Sequence, residues 1–190
     1  MEGNFVMNMH STPLVKDTLR KFSKTVKDPS AHDDKESIHD IAAERNPSKP
    51  KTDPHIPAVG NLGAGSDYAA FYQYVPAAGF CYTGYNNTPV SYPVYHTQYD
   101  TFAWLTKFID PEFRYFKAAS QLCGGLLLMF ADAPLLSMSV MLYSDALNES
   151  LHTLKTQYSD ELKSHSVTLG LLKDAVEKFH GAAKNFTKAK

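Results

Sequence analysis

Cysteine is scarce: Cys81 and Cys123 are the only two in 190 residues, too few for a disulfide framework and wrongly spaced for a zinc ribbon. Compartment therefore cannot be read from cysteine, and any metal must rely on histidine and carboxylate. Charge of one sign is also missing. Lys and Arg total 19 against 20 Asp and Glu, a formal net charge of -1, and no stretch concentrates the lysines, which argues against nucleic acid as a partner. Long apolar runs are absent as well. The most apolar uncharged run, Ala118 to Ala131, is closed by Asp132 and Pro134, short of the ~20 apolar residues that a membrane span needs. The N-terminal MEGNFVMNMHST has neither the basic start nor the apolar stretch of a signal peptide, so no targeting or transmembrane segment is expected in this chain. Repeats and low-complexity tracts are absent, as are the glycine patterns of a phosphate loop, a dinucleotide fold or a nucleophile elbow.

The length suits one domain, or one domain with an appendage. Val15, Leu19, Phe22 and Val26 recur at steps of four, three and four after Ser11-Thr12-Pro13, which predicts an amphipathic helix entered from an extended Asn4 to Met9. From Lys27 to Pro57 the chain is polar and carries Pro29, Pro47, Pro50, Pro54 and Pro57, so it reads as a long surface excursion. Ser66 and Asp67 are placed to cap a short helix over Tyr68 to Tyr74. Ala77 to Thr83 suits a buried strand, and Gly84 to Pro93 a loop. Beyond His96, Phe102, Leu105 and Ile109, then Phe116, Cys123, Leu127 and Phe130, repeat at helical spacing, with Asp110-Pro111 as a restart between them. Val140 to Tyr158 and Leu172 to Phe186 predict two more helices packed as an antiparallel pair. The expected class is α/β, with an α/β half to about residue 133 and a helical half over 134–190.

Tyr68 to Phe108 holds 13 of the 23 aromatic residues. A dense core is the default reading, with an aromatic-walled cleft as the alternative. His10, His32, His39, His55, His152, His165 and His180 form neither HExxH nor an HxH pair. His96 stands apart among aromatics, but one histidine cannot hold a catalytic zinc, which takes about three protein ligands and an open position. From the residues alone, no self-sufficient active site is present.

Gly63-Ala64-Gly65-Ser66-Asp67-Tyr68-Ala69-Ala70-Phe71, followed by Tyr92-Pro93-Val94-Tyr95-His96-Thr97-Gln98-Tyr99-Asp100-Thr101, resembles the M28 zinc peptidases. Within them the closest likeness is to the glutamate carboxypeptidase II group, the N-acetylated-alpha-linked acidic dipeptidases and their paralogues. Flanking stretches extend it: Glu2-Gly3-Asn4, Ser11 to Leu14, Lys107 to Pro111 and Ala175 to Phe179.

The resemblance implies part of a zinc-exopeptidase α/β/α domain over 1–133, followed by part of a helical domain like the transferrin-receptor dimerisation domain over 134–190. It implies two zinc ions about 3.5–4 Å apart, activating a water to attack the peptide bond of a small peptide. His96 would ligate one zinc. Tyr95 would face substrate and donate its hydroxyl to a carboxylate or developing oxyanion. Gly65 and Ser66 would line the substrate cleft, with Asp67 and Asp100 supporting the two turns. The remaining ligands and the general base belong, in the family layout, to sequence upstream of Met1, so the 190-residue piece alone is expected to be catalytically silent.

The resemblance also implies a homodimer through the helices and an intact protein of type II membrane topology with its catalytic part outside. Sequons at Asn86, Asn148 and Asn185 accord with such a glycoprotein. Two departures weaken selection for acidic substrates: the stretch Ala78 to Thr83 lacks arginine, none occurring between Arg45 and Arg114, and Ser66 stands where the family has asparagine. The alternatives are a receptor-like homologue without catalysis, or a truncated isoform acting through its helices.

Overall fold

The computed structural model describes residues 5–31, 36–48, 55–75, 79–87 and 93–189, with the side chains of 80–87 outside the description. Strand β1 (Phe5–Ser11) is the centre of a three-stranded mixed sheet. β2 (Val59–Asn61) pairs with it in parallel, Met9 opposite Val59 and Ser11 opposite Asn61. β3 (Phe80–Asn87) runs antiparallel on the other side, from Ser11 opposite Phe80 to Phe5 opposite Asn87. Val6 and Met7 are both buried although they point to opposite faces, so β1 is covered on both sides as a central strand must be. The α/β class is borne out.

The expected strand ends too early and the loop after it starts too soon. Asn8 pairs with Gly84 and Met9 with Tyr82, leaving Thr83 as the extra residue of a bulge, after which pairing continues to Asn87. Glycine beside a bulge masks the alternation that would have revealed the strand. Asn4, Ala77, Ala78 and the 88–92 part of the expected loop lie outside the described residues.

Pro13 opens a single tight turn (Pro13–Val15) that leads into helix α1 (Lys16–Ser23). Asp17 in its first turn and Arg20 and Lys21 in its last complement the helix dipole. Leu19 is buried against the sheet, as the spacing predicted.

The largest correction falls between Lys27 and Pro57. This stretch contains helix α2 (Ile38–Arg45), whose Ile38, Ile41, Ala42 and Ala43 are buried. A reciprocal cap starts it: the Ser37 hydroxyl accepts from the Asp40 N–H, while Asp40 Oδ2 accepts from the Ser37 N–H at 3.0 Å. Backbone pairing of Lys27 with Ser37 and of Pro47 with Pro57 closes the segment at both ends. Two turns of apolar spacing were too short to stand out among so many prolines. Pro50 and Pro54 lie outside the described residues.

Helix α3 (Tyr68–Tyr74) forms where expected, but neither Ser66 nor Asp67 caps it through its side chain; the Ala69 N–H instead donates to the Ser66 carbonyl. After the 93–100 turns, α4 (Phe102–Trp104) passes into a wide turn of five-residue repeat over Leu105–Ile109. Asp110 then caps α5 (Arg114–Asp132), its two oxygens accepting from the N–H groups of Arg114 at 2.8 Å and Phe116 at 3.0 Å. α5 closes the core, with Ala118, Ala119, Leu122 and Leu126 buried. Gly125 lies under Phe22 of α1 so closely that a Cβ there would overlap the ring.

Helices α6 (Val140–Gln157) and α8 (Gly170–Ala189) pack together, with the short α7 (Ser159–Ser164) between them. Tyr143 meets Phe179 at 6.0 Å between ring centroids, and the Ser144 hydroxyl lies 3.0 Å from His180 Nδ1. The chain near residue 134 is stitched to the first half. The Thr18 hydroxyl donates to the Ser137 carbonyl at 2.5 Å and the Ser139 N–H to that of Leu14 at 2.8 Å. Among the described residues no helix is long and apolar enough to cross a membrane.

Candidate functional site

The residues singled out in the sequence fall on two turns. The first spans 63–67 at the entry to α3. The Gly63 N–H donates to the Tyr68 hydroxyl at 3.1 Å, closing the turn on the helix it leads into. Gly65, Ser66 and Asp67 are all exposed. An added Cβ at Gly63 or Gly65 meets nothing within 4 Å, so packing within the described chain does not demand glycine, and open space is left for a ligand to approach the backbone.

The second turn carries Tyr95 and His96. Val94 is buried and anchors it, while the two residues after it are lifted into solvent. The Thr97 N–H donates to the Val94 carbonyl at 3.0 Å, a four-residue turn with Tyr95 and His96 at its centre. His96 has φ 61, the left-handed region that a residue with a Cβ enters only at a cost of about 1–2 kcal/mol. Its imidazole stacks on the Tyr95 ring with centroids 3.8 Å apart and planes 23° from parallel.

Thr97 is the residue that sequence reasoning passed over. Its hydroxyl donates to the Val94 carbonyl at 2.7 Å and accepts from the Tyr99 N–H at 3.2 Å, and its own carbonyl accepts from the Asp100 N–H at 3.2 Å. The signal was a threonine directly after the histidine, a residue type that bonds to nearby backbone in turns. Thr101 then caps α4 by accepting from the Trp104 N–H at 3.2 Å.

The dense-core reading of the aromatic region is corrected by exposure. Phe71 is 64% exposed, Tyr74 84%, Tyr95 62%, Tyr99 76% and Phe102 73%. Within this chain the described part of this region is a surface, outside the cluster built by β1, α1, α2 and α5. Asn148 and Asn185 are exposed on α6 and α8; Asn86 lies on β3, its side chain outside the description.

A solvent-facing imidazole on a fixed turn suits one metal donor. Among the described residues, however, no three His, Cys, Asp or Glu side chains gather to hold a metal ion. His96, Asp67 and Asp100 therefore do not form a ligand set between them, and this segment offers a donor rather than a finished metal site.

A separate depression between α1 and α2 is lined by Lys24, His39, Asp40, Glu44 and His55. Burial, and then the Lys24 ammonium, push the His39 imidazole below its ordinary pKa; its Nδ1 sits 3.5 Å from Asp40 Oδ1, a distant charge contact that offsets this only partly. Burial works against ionisation of Asp40, but the bonds from the Ser37 hydroxyl and N–H outweigh it and hold the carboxyl below the usual range.

No family-wide sequence model matches the chain. Individual relatives do. The chain is 39% identical to the rat aminopeptidase NAALADL1 over 133 residues, which is 67% of this chain and 18% of the relative. A probable glutamate carboxypeptidase, LAMP1 of Arabidopsis thaliana, is 32% identical over 125 residues, 66% of this chain and 17% of the plant protein. The glutamate carboxypeptidase 2 homologue of Caenorhabditis elegans is 27% identical over 166 residues, 84% of this chain and 21% of the relative. The chain thus spans about a fifth of the length of these curated relatives. With a mixed sheet flanked by helices, and its distinctive turns presented at the surface, the chain belongs to the glutamate carboxypeptidase-like family of peptidases.

Proposed function

We propose that this chain is the part of a dizinc exopeptidase that supplies His96 to one metal and Tyr95 to the substrate. The observation that carries the reading is the Tyr95–His96 pair, held on a hydrogen-bonded turn and exposed, in a chain 39% identical to an aminopeptidase. A zinc pair, when bound, lowers the pKa of a shared water so that hydroxide is available near neutral pH. His96 contributes a neutral imidazole lone pair to such a site. Tyr95 contributes a phenol that donates a hydrogen bond to substrate without adding charge. The turn at Gly65 and Ser66 lines the cleft that takes the peptide, and Asp67 and Asp100 support the two turns.

Small peptides are the substrate class this reading implies. With Ser66 at the turn and no arginine from 46 to 113, selection for an acidic substrate residue is weaker than in the glutamate carboxypeptidases, because a substrate carboxylate gains no charge-assisted partner from this stretch. By itself the 190-residue polypeptide is catalytically silent, since among the described residues no group of donors gathers around His96 to hold a zinc pair. Residues 134–190 read as part of the helical domain through which two subunits associate, on an intact glycoprotein anchored in a membrane with its peptidase domain outside.

The test is a chimera in which the matching 133-residue stretch of the rat aminopeptidase is replaced by that of this chain. Chelator-sensitive hydrolysis of short peptides by the chimera, abolished by His96→Ala and absent from the isolated chain, is the expected result. Hydrolysis by the isolated chain, or a His96→Ala chimera as active as its parent, overturns the reading.

A further inference from the structure

We infer that Thr97 is the positioning residue of the Tyr95–His96 pair: its hydroxyl, bridging the Val94 carbonyl and the Tyr99 N–H, holds His96 in its left-handed conformation and so aims the imidazole.

A turn closed only by the Thr97 N–H to Val94 bond would leave His96 free to relax. A left-handed backbone is unfavourable for a residue with a Cβ and persists only where neighbouring structure over-determines it. The bonds around Thr97 provide that. Its N–H and its hydroxyl both donate to the same Val94 carbonyl, at 3.0 and 2.7 Å. The hydroxyl then accepts from the Tyr99 N–H and the Thr97 carbonyl from the Asp100 N–H, which locks the residues after His96 into a second turn. The carbonyl that receives two of these bonds belongs to Val94, a residue only 8% exposed that fixes the turn to the body of the protein. His96 itself is exposed, so packing cannot hold its φ of 61; the hydrogen bonds must. In this conformation the imidazole lies on the Tyr95 ring, which couples the direction of the two side chains.

The inference rests on the reading of His96 as a metal donor only for its consequence; the geometry stands without it. A donor on a relaxed turn samples many directions, and losing a group that orients a metal ligand typically costs about 10- to 100-fold in metal affinity or activity.

The experiment compares Thr97→Val, which keeps the shape and removes the hydroxyl, with Thr97→Ser, which keeps the hydroxyl. The first readout is the nuclear magnetic resonance spectrum of the unmodified 190-residue chain and of both variants, without metal. Thr97→Val is expected to abolish the ring-current shift of the His96 imidazole protons and the left-handed carbon shifts of His96, while signals of β1 and α5 stay in place. Thr97→Ser is expected to retain both. The second readout is peptide hydrolysis by the rat chimera, where Thr97→Val lowers kcat/KM by about 10- to 100-fold and Thr97→Ser restores most of it. His96 signals unchanged in Thr97→Val, or lost equally in Thr97→Ser, overturn the inference. If Thr97→Val moves His96 while His96→Ala leaves chimera activity intact, the turn is organised as inferred and the peptidase reading is the one that fails.

Discussion

Two regions of this chain are equally rich in large apolar side chains and treat them in opposite ways. In β1, α2 and the inward face of α5, residues such as Met7, Ile38, Leu122 and Leu126 are at most 1% exposed, whereas Leu127 and Leu128 on the outer face of α5 are 64% and 70% exposed. Between α3 and the start of α5, Phe71, Tyr74, Tyr99 and Phe102 are each at least 64% exposed. Composition does not separate the regions; the number of elements that converge does. β1 is a central strand covered on both faces, whereas α3 and the 93–100 turns stand at the margin, where apolar atoms accompany the residues proposed to meet substrate. An aromatic-rich stretch is therefore no guide to the core until the topology is known.

Substitutions sharpen the contrast. Leu126→Ala removes a side chain with no exposure and is expected to cost about 2–5 kcal/mol, read as a lowered midpoint in chemical denaturation. Gly125→Ala forces a Cβ into the Phe22 ring and is expected to cost about 1–3 kcal/mol in the same assay, although alanine is the better helix former. Asp110→Ala strips two acceptors from the start of α5 and is expected to cost about 0.5–2 kcal/mol. Tyr74→Ser, at a side chain 84% exposed, is expected to change stability by no more than about 0.5 kcal/mol. A Tyr74→Ser loss as large as that of Leu126→Ala would erase the distinction between the regions.

The pH dependence probes the buried region in a subtler way. Because the His39 pKa is depressed in the folded chain, by burial and then by Lys24, the unfolded chain takes up a proton first as pH falls below about 6.5. Stability is full above that pH and declines below it. Asp40 acts in a separate window: its carboxyl is also depressed, so its contribution is lost only below the usual carboxylate range. His39→Leu is expected to flatten the stability profile between about pH 7 and 5.5, where the His39 titration falls. An unchanged slope would show that His39 is not the group responsible.

Much of the secondary structure was legible because its signals were local. Pro13 and the spacing from Val15 to Val26 gave α1, and the long periodic segments gave α5, α6 and α8. α2 was not legible, since two turns of helix depend on a reciprocal Ser37–Asp40 cap and on burial contributed by distant β1. The end of β3 was hidden by a bulge that only pairing with β1 reveals. For the site, Tyr95 and His96 were legible through their motif, but the left-handed backbone of His96 and the bonding around Thr97 are properties of a folded turn. Asp67 illustrates the converse: its type and position suggested a helix cap that its side chain does not form.

The central claim is that His96 donates to a metal that the rest of a peptidase completes. It is tested most directly by counting zinc in the chimera that carries this chain's stretch, with His96 intact and as His96→Ala. Two zinc ions per chimera are expected with His96, and a marked loss of bound zinc on substitution. Equal zinc content in both proteins would contradict it.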